Sequence, residues 1–188
     1  MTAERPRWIA VITWLLQIAI AVILLQTLFF KITYAPQTQV IFEPIGGRAA
    51  ATMSALAELG VAALLLIPAG FLTRIDPACA CSAREVRGWT DLGAWVGYAN
   101  VIGAAAALGV IGGAIATHLF IIGIDIPVAP GAEETDGGGL FAMAIGIAVA
   151  AGIVLAIRIK EANAFVHAVL NVARPASETS TDASPATT

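Results

Sequence analysis

Four long apolar stretches, separated by short polar ones, dominate the chain. A membrane-spanning helix needs about 20 apolar residues, because the hydrocarbon core is about 30 Å thick and each helical residue rises about 1.5 Å. The first stretch that qualifies covers residues 8–30 and has no charge. The second covers 49–72 and contains one charge, Glu58. The third covers 92–120, inside a run that stays free of Lys, Arg, Asp and Glu as far as Ile124. The fourth covers 139–158 and is uncharged until Arg158. The expected fold class is therefore all-α: a polytopic membrane protein whose residues 1–160 form a four-transmembrane-helix bundle. The first stretch is too long for the apolar region of a signal peptide, and Ala35 followed by Pro36 is a poor cleavage site, so it reads as a retained span.

Two shorter segments follow. Within 161–174, Glu161–Val172 reads either as an interfacial helix with Phe165, Val169 and Val172 on its apolar face, or as a frayed continuation of the fourth span. Residues 175–188 are Ala, Ser, Thr and Pro with two acids and are expected to be a disordered tail.

Composition agrees with a lipid environment. The chain is 59% hydrophobic and 12% charged, whereas soluble domains are about half apolar and about a quarter charged. A net charge of −3 gives no basic footprint for nucleic acid. Cys79 and Cys81 stand as Cys-Ala-Cys in the second loop, which is neither a disulfide framework nor a CxxC redox pair. Structural zinc wants four ligands and no histidine is near, so no metal site is expected. A passive loop or a partner contact is the reading for this pair.

Orientation follows from the basic residues. Arg5, Arg7, Arg74, Arg84, Arg87, Arg158, Lys160 and Arg174 fall on one side of the four-span layout, against Lys31 and Arg48 on the other. Residues 125–138 hold Asp125, Glu133, Glu134 and Asp136 and no base. Both termini and the second loop are expected to be cytoplasmic, with the first and third loops outside, in a bacterial-type plasma (inner) membrane.

The few polar residues within the spans fall into stripes. Thr13, Gln17, Thr27 and Lys31, with Ile20, Ala21 and Leu24, recur at steps of three and four along the first span. Ala51, Ser54, Ala55, Glu58 and Ala62 do so along the second, and Asn100, Gly103, Ala107, Ile111, Ala114 and His118 along the third. Small residues let helix backbones approach closely in lipid, so these faces are expected to meet in the interior. Leu64, Ile67, Ile147 and Leu155 are expected toward lipid. Gly109 and Gly113 have GxxxG spacing, a weak signal in so Gly-rich a chain.

Glu58 is the most informative position. A charge at mid-span costs at least about 2.5–3.5 kcal/mol, so this carboxyl must be neutral, hydrogen-bonded or paired. Lys31 and His118 approach the same half of the bundle from two other spans. Lys31, Glu58 and His118 form the candidate polar cluster. One reading is a buried pair that fixes helix packing; the other is a site for proton-coupled redox chemistry or ligand binding. Between the first two spans, Tyr34, Pro36, Phe42, Pro44, Gly46 and Gly47 predict a shaped loop that caps the bundle above Glu58.

The order of these features resembles the DoxX/DoxD-like family of small membrane proteins. The matching pieces are Phe30-Lys31-Ile32-Thr33, then Phe42 and Gly46, then Glu58-Leu59-Gly60 with the apolar run Ala62 to Ile67 and Gly70, and last Gly113-Ala114-Ile115-Ala116-Thr117-His118-Leu119. The match covers residues 8–158. It departs where Phe29 and Phe30 replace the glycine common before the lysine, and in the long second loop, 73–91, with its Cys-Ala-Cys. The resemblance implies a four-helix membrane bundle, with Lys31, Glu58 and His118 at recurring positions. It also implies a subunit of, or accessory to, a membrane redox system that is quinone-linked and in some members acts on sulfur compounds. A quinone is then the candidate cofactor, and a membrane or soluble redox protein the candidate partner. The competing expectations are a non-enzymatic assembly or chaperone subunit, a small transporter, and a thiol oxidoreductase using the Cys-Ala-Cys pair.

Overall fold

The computed structural model describes residues 7–67 and 92–173. Its helices are α1 (Arg7–Thr33), α2 (Pro36–Phe42), α3 (Gly47–Leu66), α4 (Leu92–Thr117), α5 (Gly139–Ile157) and α6 (Ile159–Ala173). A single 3₁₀ turn, Glu43–Ile45, follows α2, and a π turn, His118–Ile122, ends α4. No strand occurs among the described residues; the nearest thing to one is an antiparallel bridge between Pro127 and Thr135. Four helical segments, Trp8–Thr33, Gly47–Leu66, Tyr98–Ile122 and Gly139–Ile157, are long and apolar enough to cross a bilayer. The protein is an all-α, multi-pass membrane protein with a four-helix bundle. Hydrocarbon offers backbone groups no hydrogen-bond partners, so these stretches satisfy themselves as helices.

Burial follows lipid rules rather than those of a soluble core. Ala51, Ala55, Ala62, Ala104, Ala107 and Ala151 are all 0–2% exposed. Large residues such as Leu15, Val22, Leu56 and Val149 face outward. On α1 the outward residues Val11, Leu15, Ile18, Val22 and Leu25 alternate in steps of four and three with the buried Thr13, Gln17, Ile20, Ala21 and Leu24. The central packing layer joins Ile20 and Leu24 to Val61 and Leu65 of α3, Ile111 of α4 and Val154 of α5.

The three expected interior stripes are the faces that meet. Three lipid-facing expectations need correction, the first being Leu64, which is half-buried with its Cβ against Gly103 of α4. Ile147 is 4% exposed and belongs to the core. Leu155 packs partly against that core. Helix α5 is apolar on every side, so its sequence carries no polar stripe to say which face turns inward. Gly109 and Gly113 have open space where a Cβ would stand, so their spacing serves no contact among the described residues.

The crossing of α3 and α4 is fixed by two residues. A Cβ on Gly103 would lie 3.0 Å from Leu64 Cβ and 3.0 Å from the Leu65 backbone nitrogen, so a larger residue there would have to push α3 away. One turn away, the Asn100 amide nitrogen donates to the carbonyls of Leu64, Leu65 and Ile67 at 3.1, 3.0 and 3.0 Å. These are carbonyls that the end of α3 leaves without helical partners. Helix α3 stops because Ile67 turns extended (ψ 122°), as the residue before a proline, here Pro68, tends to do.

Packing divides the described residues into two compact units. The bundle comprises residues 7–67 and 99–158; the smaller unit comprises 92–98 and 159–173. Within the smaller unit, the rings of Tyr98 and Phe165 lie 5.5 Å apart at 56°. Helix α6 is amphipathic, with Ile159, Val166 and Leu170 exposed on one side. The expected apolar residues Phe165 and Val169 are instead half-buried. Residues 68–91, with Cys79 and Cys81, and the tail 175–188 lie outside the described residues.

Candidate functional site

The site begins with how α1 ends. The Ala35 N–H donates to the Phe30 carbonyl at 3.0 Å, and the Tyr34 N–H to the Lys31 carbonyl at 3.2 Å. Tyr34 itself is left-handed (φ 53°). Together these form a Schellman closure with a tyrosine where glycine is usual. The chain then reverses into α2, whose Pro36 at the start needs no N–H partner. Thr38 Oγ1 donates to the Phe30 carbonyl at 3.1 Å, and Gln39 Nε2 to the Tyr34 carbonyl at 3.0 Å, tying α2 back onto the end of α1.

This turn places Lys31 in the last turn of α1, where a cation meets the negative end of the helix dipole. Its ammonium donates to Glu58 Oε1 and, at 3.1 Å, to Ser54 Oγ. Ser54 and Glu58 are one turn apart on α3, so both face it. The other Glu58 oxygen accepts from Thr27 Oγ1 at 2.9 Å. Thr27 stands one turn before Lys31 on α1. Phe42, at the end of α2, closes the top with its ring centroid 5.7 Å from the ammonium. The Glu58 side chain is 5% exposed and that of Lys31 14%. The pair is buried, and both carboxylate oxygens and the ammonium have hydrogen-bond partners.

His118 is also buried, 5% exposed, but its partners are others. Its Nδ1 lies 2.9 Å from the Gly123 carbonyl across the π turn, and its ring meets Phe141 edge-on at 5.8 Å. No hydrogen bond or ion pair joins it to Glu58 or Lys31. The structure therefore brings together two of the three sequence candidates and gives His118 to the loop between α4 and α5. Five-residue-step turns of this kind recur at functional positions.

That loop, 123–138, is organised by Asp136. Its Oδ1 accepts the N–H groups of Ile126 and Gly138, both at 3.1 Å, and its Oδ2 that of Leu140 at 3.0 Å. Burial works to raise its pKa, but these three donors and the nearby His118 outweigh it and hold the carboxyl below its ordinary value. Thr135 adds a hydroxyl bond to Asp125 at 3.0 Å. Two backbone bonds, Val128 N–H to Glu134 and Asp136 N–H to Ile126, make the loop hairpin-like. Sequence reasoning missed this role. Its signal was an Asp before two glycines and the start of a helix, which is the arrangement of an N-terminal capping residue.

No family model, curated protein or solved structure matches the chain.

An open groove of about 480 Å³ runs between α2 and this loop, lined by Gln39, Val40 and Glu43 on one side and Pro127, Ala129 and Pro130 on the other. Beside it, the Tyr34 hydroxyl donates to Glu43 Oε1 at 2.7 Å. That hydrogen bond, with burial and the carboxylate's charge adding to it, raises the tyrosine pKa above its ordinary value. The groove shows that the α1–α3 and α4–α5 connections share one end of the bundle. Among the described residues, no three His, Cys, Asp or Glu side chains gather as a metal ion would require.

Proposed function

We propose that the chain is a DoxX-like membrane subunit that works beside a redox partner, and that Lys31 and Glu58 bind the head group of a membrane quinone. The observation that carries this reading is the Lys31–Glu58 ion pair, supported by Thr27 and Ser54 and set close to one end of a lipid-embedded bundle. Quinone head groups reside near that depth, while their tails stay in hydrocarbon. An ammonium can donate to a quinone carbonyl oxygen, and a carboxylate can accept from a quinol hydroxyl. Reduction takes two electrons and two protons. The electrons belong to the partner, and the pair's part is to hold the head group and move protons at its oxygens. The distribution of eight basic residues against two supports an orientation with both termini cytoplasmic and the Lys31 end outside, in a bacterial-type plasma membrane.

The test is purification in mild detergent, with extraction and identification of bound quinone and measurement of quinone reduction by the copurified complex. Glu58→Gln keeps the shape but removes the charge, and is expected to lose both bound quinone and turnover. Unchanged quinone content and turnover in that variant would remove the pair from the reaction.

One observation favours a second reading, an assembly subunit. Both Glu58 oxygens and the Lys31 ammonium already have protein partners, as a pair that only fixes helix packing would. Stable copurification with a soluble enzyme, without quinone and without turnover by this chain, would favour it.

A further inference from the structure

We infer that α6 binds the surface of the bilayer, with the stripe formed by Ile159, Val166 and Leu170 seated among the lipid head groups and upper acyl chains. The partner is phospholipid. This lipid contact does not depend on the quinone reading.

Three features of the molecule carry this. The first is connectivity. Helix α5 is long and apolar enough to span, and it ends at Ile157. Arg158 breaks the helical conformation (φ −100°, ψ 23°), and α6 begins at the next residue. Lys160 and Glu161 stand in its first turn. Charged groups are costly in hydrocarbon, so α6 does not continue the span. The chain leaves the acyl region near Arg158, and α6 starts at the level of the head groups.

The second is how its side chains divide. Helix α6 segregates apolar from polar residues far more sharply than any of the four spans. At about 100° per residue, Ile159, Val166 and Leu170 fall within about 40° of arc, and Lys160 and His167 stand roughly 80–100° round from its centre. All five side chains are exposed. A row of aliphatic side chains bordered by a basic polar face is the pattern of a helix that lies in the interface plane.

The third is what the rest of the helix does. Phe165 stands about 120° round from the stripe. Its ring packs 5.5 Å from that of Tyr98, and Phe165 and Val169 are half-buried. The contact within this unit therefore uses another side of α6 and leaves the stripe uncovered. For a helix joined to a span through the single residue Arg158, lipid is the apolar phase within reach.

The test uses the full-length protein in phosphatidylcholine nanodiscs, with Cys79→Ser and Cys81→Ser so that each variant carries a single nitroxide label. Labels are attached through Ile159→Cys, Val166→Cys and Leu170→Cys on the stripe, and through Lys160→Cys and His167→Cys beside it. Electron paramagnetic resonance compares relaxation by oxygen, which concentrates in acyl chains, with relaxation by a nickel chelate, which stays in water. The stripe labels are expected to favour oxygen and to lie about 5–10 Å into the boundary between head groups and acyl chains. The labels at 160 and 167 are expected to favour nickel. Adding Val166→Asp should turn the label at 170 to the nickel side, because a charge opposes insertion. Any of four results would overturn the assignment. Stripe labels as open to nickel as the label at 167 would leave α6 in water. Stripe labels reached by neither reagent would put protein over the stripe, a second copy included. An oxygen preference centred on 160 and 167 would reverse the face, and a label at 170 unmoved by Val166→Asp would mean that the stripe does not hold the helix in lipid.

Discussion

The Lys31–Glu58 pair gives the sharpest test of the bundle's energetics. Lys31→Met leaves the Glu58 carboxylate 5% exposed with one protein partner, Thr27 at 2.9 Å. Breaking a buried pair from one side costs roughly 3–5 kcal/mol, because the remaining charge is desolvated and uncompensated. The 14% exposure of the lysine side chain argues for the lower end of that range. An exposed pair would cost only about 0–1 kcal/mol. For a domain of this size, 1 kcal/mol moves the unfolding midpoint by about 2–4 °C. The single variant should therefore unfold roughly 6–12 °C lower, on the order of 3 kcal/mol.

The decisive variant is the double one. Lys31→Met with Glu58→Leu removes both charges and refills the space with apolar groups of similar size. Such replacements are commonly neutral or stabilising, by about 1–4 kcal/mol. The cycle should thus be strongly non-additive: each single variant is damaged and the double variant recovers. Thermal unfolding in detergent, followed by loss of helical signal, measures all four corners. A double variant as damaged as the sum of the singles would refute the reasoning, since the two side chains would then act independently. The same protein also separates the two functional readings. If it folds and still binds quinone, the pair serves packing; if it folds without quinone, the charges serve the ligand.

Other positions give independent checks. Gly103→Ala should lower the unfolding midpoint by an amount corresponding to about 1–3 kcal/mol of overpacking, because its Cβ meets the Leu65 backbone at 3.0 Å; Gly109→Ala, with open space around it, should be neutral or slightly stabilising, and equal effects of the two in thermal unfolding would contradict the crossing geometry. Gln17→Leu should raise the midpoint, since both polar atoms of this amide are buried without a partner and such groups cost about 1–3 kcal/mol; a lower midpoint would mean that the amide has a partner such as an ordered water. The Asp136 carboxyl has a depressed pKa, so its stabilisation is complete above the ordinary value of 3.8 and is lost as pH falls from there through the lower folded value. Protease cleavage within 123–138 should therefore increase below about pH 4 in the native chain, while Asp136→Asn should be cleaved readily even at neutral pH; a pH-independent native loop would refute that role.

Much of this was legible in the sequence, for identifiable reasons. Four uninterrupted apolar runs leave a chain in lipid few options, and the observed helices begin and end within a few residues of those runs where both are described. Polar residues are rare in the spans, so each carries information. Thr27, Lys31, Ser54 and Glu58 could be set on facing stripes because a charged group in hydrocarbon must find a partner. His118 could not be assigned in the same way. Its spacing put it on the interior face, but its partner is a carbonyl five residues on, reached through a π turn that helical periodicity does not describe. Helix α5 was opaque because it has no polar residue to mark a face, which is why Ile147 was misjudged. The Asn100 cap on α3 was also hidden, since it depends on where α3 stops and not on the stripe alone.

The distribution of the buried polar groups has a consequence for direction. From the α2 cap downward, α1 presents Lys31 and Thr27 and then Leu24, Ala21 and Ile20, each 0–1% exposed. Opposite them, α3 presents Glu58 and then Val61, Ala62 and Leu65, at 0–4%. Helix α4 contributes Ala104, Ala107 and Ile111 to the same layer. Among the described residues, buried polar side chains return at Gln17 and Thr13 on α1 and at Asn100 on α4. From Thr27 to Gln17 is ten residues, about 15 Å of helix without a hydroxyl, amide or carboxyl on that face. Apolar side chains of this kind offer a chain of waters no polar group to bond to. A proton moving along α1 between Glu58 and Gln17 would cross that stretch without a polar side chain to carry it.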